Sequence, residues 1–314
     1  MKIAFIAPLM RAWERTQRTL FRPFRFETWF VMGFAAFLSE YFSGGAGGSY
    51  GKTAPWRAGH HHAVGEVFSK VWDFLRDPAM LALVIGLAIV ALTLAIVLQW
   101  ISCRGRFIFL DDVVRERAAI VEPWTRYARQ GNSLFAWTML FWLACVVAAL
   151  FIALPFLASL RSLWSEGDFH WAGLLSLAGF MFMAIPVVLA LAYTMLFLNH
   201  FVVPIMYRHG LSAPAAWGRF LTLLGSHPFS FIGYGLLMIV LWIIIGVCVM
   251  IVGLSTCCIG FLLLATPYLG QVILLPVHVT VRAFGPEFLA QFGPEFDVFG
   301  ASAAPAAPPQ ARTL

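Results

Sequence analysis

Residues 79–100 read AMLALVIGLAIVALTLAIVLQW, with no Asp, Glu, Lys or Arg, and Arg104 and Arg106 follow shortly after. As a helix at about 1.5 Å per residue this stretch reaches about 33 Å, enough to cross the ~30 Å hydrocarbon core of a bilayer. Residues 134–158, 229–253 and 259–281 are equally long and apolar. Residues 171–207 exceed one crossing and predict a helix that runs past the interface into water, or kinks at Pro186 or Pro204. The whole chain is 61% hydrophobic and 11% charged, with a mean hydropathy of +0.83. A water-soluble globule carries about 25% charged residues, so that class is excluded.

The stretch 28–42 is shorter, and about 22 Å of helix leaves its crossing to be decided by the positive-inside rule. With six spans, Lys and Arg divide sixteen against five between the two sides. Without this first crossing they divide eleven against ten and the asymmetry vanishes. The expected fold is therefore an all-α integral membrane protein with about six transmembrane helices over 28–42, 79–100, 134–158, 171–207, 229–253 and 259–281. It forms a single polytopic domain over 1–283, followed by a partly disordered cytoplasmic tail over 284–314. The expected location is a bacterial inner membrane with both termini cytoplasmic. An arginine-studded start without a small-residue cleavage site is no secretory signal peptide. The formal charge of +6 lies largely in the cytoplasmic loops, which implies anionic lipid and not nucleic acid as partner.

Trp-x-Arg occurs three times, as Trp13-Glu14-Arg15, Trp124-Thr125-Arg126 and Trp217-Gly218-Arg219, each shortly after a proline. Each copy lies on the expected cytoplasmic side and precedes a pair of spans, a pattern of three helix-hairpin repeats. The even spans also exit alike, through Arg104-Gly105, Arg208-His209-Gly210, and Arg282 followed by Gly285. Tryptophan at headgroup level and arginine toward phosphate make Arg11, Trp13, Arg15, Arg18, Trp124, Arg126, Trp217 and Arg219 the expected headgroup contacts. In the first outer loop, Val64, Val67, Phe68, Val71, Trp72 and Leu75 predict an amphipathic helix over 64–76, and Asp77-Pro78 supplies the cap of the next.

Several motifs that resemble chemistry read better as plain structure. Residues 46–53 match a permissive phosphate-loop pattern, but a membrane span precedes them and Ala54-Pro55 follows, where a strand and a helix are required. His60–His62 with Glu66 lack a second ligand set at metal spacing, so no metal and no cofactor is expected. The five cysteines, at 103, 145, 248, 257 and 258, form no C-x-x-C motif and read as packing residues. Gln99, Asn199, His200, Gln271 and His278 sit toward the cytoplasmic halves of the even spans, and their expected convergence is a polar pocket open to the cytoplasm. The competing reading is interhelical hydrogen bonding. The spans hold no aspartate, and Glu40 is their single glutamate. Coupled transport and intramembrane acid–base catalysis lean on such carboxylates, so the chain is not expected to be an enzyme.

Phe-Gly-Pro-Glu-Phe occurs at 284–288 and again at 292–296, pairing aromatic anchors with a rigid turn that lies on the membrane or docks on the bundle. The opening, with Trp13, Leu20-Phe21, Pro23-Phe24, Trp29-Phe30, Gly33-Phe34 and Ala36-Phe37-Leu38, resembles that of a widespread family of bacterial polytopic membrane proteins with no assigned activity. The ending, with Leu289 and Gln291-Phe292-Gly293-Pro294-Glu295-Phe296, is similar to that family's ending. The architecture more loosely resembles the membrane domain fused to some glycerophosphodiester phosphodiesterases. No phosphodiesterase domain is present, so that activity does not carry over. The expectation for function is a non-catalytic inner-membrane protein that binds or organises lipid, or scaffolds other membrane proteins. The alternative is a passive transporter or channel for a lipid or small solute, and a lipid-modifying metalloenzyme at His60–His62 is a distant third.

Overall fold

The computed structural model describes residues 3–40, 77–165, 171–256 and 259–300. The expected helix over 64–76, the stretch 46–53, His60–His62, Cys257–Cys258 and the Ala/Pro-rich end from 301 lie outside the described residues. Regular structure among the described residues is entirely helical. The order is α1 (Ile6–Leu20), α2 (Phe26–Glu40), α3 (Pro78–Arg115), α4 (Val121–Arg126), α5 (Ala128–Ser165) and α6 (Trp171–Phe197). A π turn (Leu198–Val202) leads into α7 (Val203–His209), followed by α8 (Ala213–Ser226), α9 (Pro228–Ser255), α10 (Ile259–Ala265), α11 (Pro267–Ile273) and α12 (Leu275–Leu289).

Among the described residues, four helical runs are long and apolar enough to cross a membrane: α3, α5, α6 with α7, and α9. Their apolar stretches are nearly bare of neighbours, with Leu87, Val90, Phe151, Phe182 and Ile251 all more than half exposed. An unbroken apolar surface of this extent is what lipid, and not water, covers.

The packed core lies elsewhere. Helix α3 reaches about 57 Å, nearly twice the hydrocarbon thickness, and its buried residues all fall between Gln99 and Val114. The sequence reading placed a loop over 101–133. Instead the helix continues to Arg115, because Phe107, Ile108, Leu110, Val113 and Val114 recur at helical spacing and find partners beyond the apolar zone. Asp77 caps the start of α3, its side chain accepting from the Ala79 N–H at 2.9 Å, with Pro78 in the first turn. Around the α3 extension a ring-rich core joins Phe201, Phe220, Phe231, Tyr234, Phe284 and Phe288, all fully buried.

Two expectations are corrected here, and the packing of α2 is fixed. The 259–281 run is not one span helix: it breaks at Thr266 and Leu274, one residue before each of the helix starts that carry Pro267 and Pro276. Proline lacks an N–H and crowds the preceding residue out of helical backbone, so an apolar run alone did not carry the helix through. Helix α2 packs its Leu38 and Ser39 against Gly105 and Ser102, with the Ser102 hydroxyl donating to the Ser39 carbonyl at 3.2 Å. The end of α2 therefore packs on α3 just beyond its apolar stretch. The tail boundary at 283 is also displaced, since α12 continues to Leu289 with Phe284, Pro286, Glu287 and Phe288 buried, and the chain stays packed to residue 300.

The long 171–207 segment is helical throughout and runs on to His209. Pro186 lies inside α6 without ending it, and the irregularity falls at the π turn just before Pro204.

The amphipathic helices lean on the far ends of the long runs. Tyr127, after α4, stacks with Phe107 of α3, and Phe220 of α8 packs on Phe197 and Phe201. Helix α1 lies on α12, where the Thr16 and Thr280 hydroxyls are hydrogen-bonded at 2.8 Å. Ala4 and Gln291 exchange two hydrogen bonds of 2.9 Å, so the two ends of the described chain meet on one face.

Candidate functional site

Helices α1 and α2 meet the end of α3 around a cleft of about 450 Å³ lined by Arg18, Arg22, Arg25, Glu27, Thr28, Val31 and residues 116–118. Arg117 is committed elsewhere, to Asp111 at 3.2 Å and Glu122 at 2.8 Å, and Glu116 holds Arg15 at 3.1 Å. Arg18, Arg22 and Arg25 have no ion pair among the described residues, and Glu27 is the one unpaired carboxylate facing them. Phe21, Phe24, Phe26 and Phe30 stand exposed beside the cleft. Phe21 and Phe24 pack on Trp29, whose indole donates to the Leu20 carbonyl at 3.0 Å and ties the α1–α2 corner.

Behind the cleft lies a buried carboxylate hub that the sequence reading missed. Asp111 is fully buried and accepts from the Tyr127 hydroxyl at 3.0 Å, the Tyr207 hydroxyl at 2.8 Å, Arg115 at 3.0 Å and Arg117 at 3.2 Å. It thereby ties α3, the α4–α5 corner and α7 together. Asp112 is also buried; one oxygen accepts from the Ala119 N–H at 2.9 Å and the other has no partner among the described residues. Burial, with the Asp111 charge beside it, pushes its carboxyl up to about 8. Glu122, on the surface, is held below the usual carboxylate range by the Arg117 guanidinium.

The five expected pocket residues fall in or beside this core. Gln99, Gln271 and His278 are buried. The Gln99 amide faces the Cys103 sulfur at 3.8 Å, and His200 shares a 2.8 Å hydrogen bond with the Tyr234 hydroxyl. Asn199 contributes its backbone: the Arg282 guanidinium donates to the Asn199 carbonyl at 3.3 Å and to the Arg106 carbonyl at 2.6 Å. Arg106 itself is 1% exposed, and none of its three guanidinium nitrogens has a hydrogen-bond partner among the described residues. In sequence Arg106 and Arg282 read only as residues flanking the span exits and Asp111 carries no motif, because all three fall just outside the apolar runs. The apolar residues interleaved with them at 107–110 and 113–114 were the available signal.

The expected headgroup residues divide by environment. Arg15 is turned inward, paired with Glu116 and Glu287 and lying 3.7 Å over the Phe299 ring. Arg11 pairs with Glu287 at 2.9 Å but keeps about half its side chain in the open. Arg18 lines the cleft, and Trp13 is 44% exposed. Trp124 packs edge-on to Trp100 at 5.8 Å, with the Arg104 guanidinium over both rings. Arg126 is half exposed beside Glu122. Trp217 stacks on Trp137 at 5.3 Å, while Arg219 is exposed. No group of three or more His, Cys, Asp or Glu among the described residues is placed to hold a metal.

Neither the curated proteins nor the solved structures contain a match to this chain. The model of DUF7544, a family of unknown function, matches residues 4–297, and the chain belongs to that family.

Proposed function

We propose that this is a non-catalytic protein of a bacterial inner membrane that binds and organises anionic lipid with a helical layer at the cytoplasmic surface. The observation that carries the reading is the belt where α3 leaves its apolar zone: Trp100 and Trp124 ring Arg104, and the exposed Arg126 lies on the same α4 as Trp124. Tryptophan and arginine so placed favour the headgroup region, and cations there attract anionic lipid by about 1 kcal/mol each. Anchored in this way, the layer also offers a platform on which other membrane proteins could be scaffolded.

Six crossings with both termini cytoplasmic follow as part of the proposal. The far ends of α3 and α7 meet at Asp111 and Tyr207, and α1 joins α12 in the same layer. If α3, α5, α6–α7 and α9 each cross, one crossing must come before α3 and one between α9 and α12. The three Trp-x-Arg helices, α4 and α8 leaning on the ends of α3 and α6–α7 and α1 lying on α12, support three repeated units, and the looser likeness to the membrane domain of phosphodiesterase fusions belongs with that architecture.

The test is extraction of the protein in its own lipid patch, followed by lipid analysis. Anionic lipid should be enriched around the wild type and reduced around Arg126→Gln/Arg219→Gln. Equal lipid composition around both would sink the reading.

A second reading, a passive path for a small anionic solute, is favoured by the buried Arg106 guanidinium near Cys103, which has no hydrogen-bond partner among the described residues. It requires anion flux in proteoliposomes that Arg106→Gln abolishes.

A further inference from the structure

We infer that the Arg18–Arg22–Arg25 cleft is a binding site for one phosphate-bearing lipid headgroup, a specific ligand within the lipid-binding reading above and resting on it. The charge count makes the first argument. Once Arg117 and Glu116 are assigned to their own partners, three arginines face one glutamate. The surplus of two positive charges matches a phosphomonoester or a pair of phosphodiesters.

Geometry makes the second. The cleft opens at the first turn of α2, whose leading backbone N–H groups have no acceptor within the helix and favour an anion. Guanidinium groups bind phosphate oxygens in pairs, and a volume of about 450 Å³ admits a glycerophosphate head and not merely a bare ion.

Lipid is the favoured source because of what adjoins the charges. Phe26 is 71% exposed, Phe30 45% and Phe34 39%, and they form a continuous apolar stripe along α2 leading away from the cleft. An acyl chain on that stripe would leave its phosphate among the three arginines. A free phosphate has no use for it.

Native mass spectrometry of the full chain from nanodiscs of phosphatidylcholine with a small fraction of phosphatidic acid tests this. One phosphatidic acid should stay bound per wild-type chain, and Arg18→Gln/Arg22→Gln/Arg25→Gln should lose it at least about tenfold. The Arg126→Gln/Arg219→Gln variant should keep it, which separates the cleft from the general lipid belt. Displacement by millimolar inorganic phosphate would assign the site to soluble phosphate and overturn the lipid source. Equal retention by the triple variant, melting like wild type, overturns the site. If that variant melts early, the Arg→Lys triple, which keeps the charge, is compared instead; it should retain the lipid in part, and complete loss would overturn the charge argument.

Discussion

The Arg282 guanidinium supplies the donor that the Asn199 carbonyl lacks, at 3.3 Å. In the π turn the Val203 N–H reaches back to Leu198, and the next residue, Pro204, has no N–H to give. The Asn199 oxygen is left without a backbone donor, and α12 provides one across the core. The other arm of the same guanidinium reaches the Arg106 carbonyl at 2.6 Å, so one side chain joins α12, the π turn and α3. Arg282→Met would leave the part-buried Asn199 carbonyl without a donor, at roughly 1–3 kcal/mol, while the Arg106 carbonyl keeps its donor within α3. A drop in melting temperature larger than that of Arg282→Lys, measured in detergent, is the expected result; equal melting of both would refute the bridging role.

Gly285 sits one turn beyond Arg282, where a Cβ would run into the His200 carbonyl. The obstacle is backbone and cannot rotate away, so Gly285→Ala should force α12 off the π turn. Gly86, in the exposed half of α3, has nothing within contact range of an added Cβ. Gly86→Ala should be neutral or slightly stabilising, since alanine is the better helix former by about 1 kcal/mol. The two variants melted side by side distinguish a packing requirement from general sensitivity to glycine.

The long apolar runs were legible because each replaces charge with leucine, isoleucine and valine for more than twenty residues. What sequence could not show is which residues beyond those runs continue the same helices. Arg104, Arg106, Asp111 and Asp112 made 101–115 look like a loop, yet each charge sits on a helix whose other faces carry Phe107, Phe109 and Val113. That Gln99, Gln271 and His278 are buried was readable from their places in or beside the apolar runs. The cleft was not, since Arg22 and Arg25 join Arg18 only through the α1–α2 corner and the packing of α2 on α3. The breaks at Thr266 and Leu274 are signalled in sequence by Pro267 and Pro276, which hydrophobicity alone does not register.

Glu287 latches α1 to the core. It receives Arg11 at 2.9 Å and Arg15 at 3.5 Å while itself only 7% exposed, and Arg15 has Glu116 as a second partner. Removing the carboxylate strands the largely buried Arg15 with half its compensation. Glu287→Gln should destabilise by about 1–3 kcal/mol, within the range for breaking a partly buried charged pair. Faster amide exchange confined to Ile6–Leu20 would be its signature. Unchanged protection of α1 would show that Thr16–Thr280 and the aromatic contacts suffice.

Asp112 gives the fold a pH dependence whose sign is fixed by its burial. Its carboxyl is pushed up to about 8 in the folded chain, against the ordinary 3.8. A group whose folded value is raised binds its proton more tightly when folded. Its stabilising effect is complete below about pH 4 and is lost as pH rises toward 8, each unit of displacement being worth about 1.4 kcal/mol. Asp112→Asn replaces the neutral acid with a neutral amide of the same shape and removes this dependence. The difference in melting temperature between variant and wild type should therefore move in favour of the variant as pH rises from 5 to 8, while the Ala119 N–H keeps an acceptor at position 112 in both. A difference that stays constant across that range would mean the carboxylate is ionised in the folded protein, with the nearby Arg117 outweighing its burial.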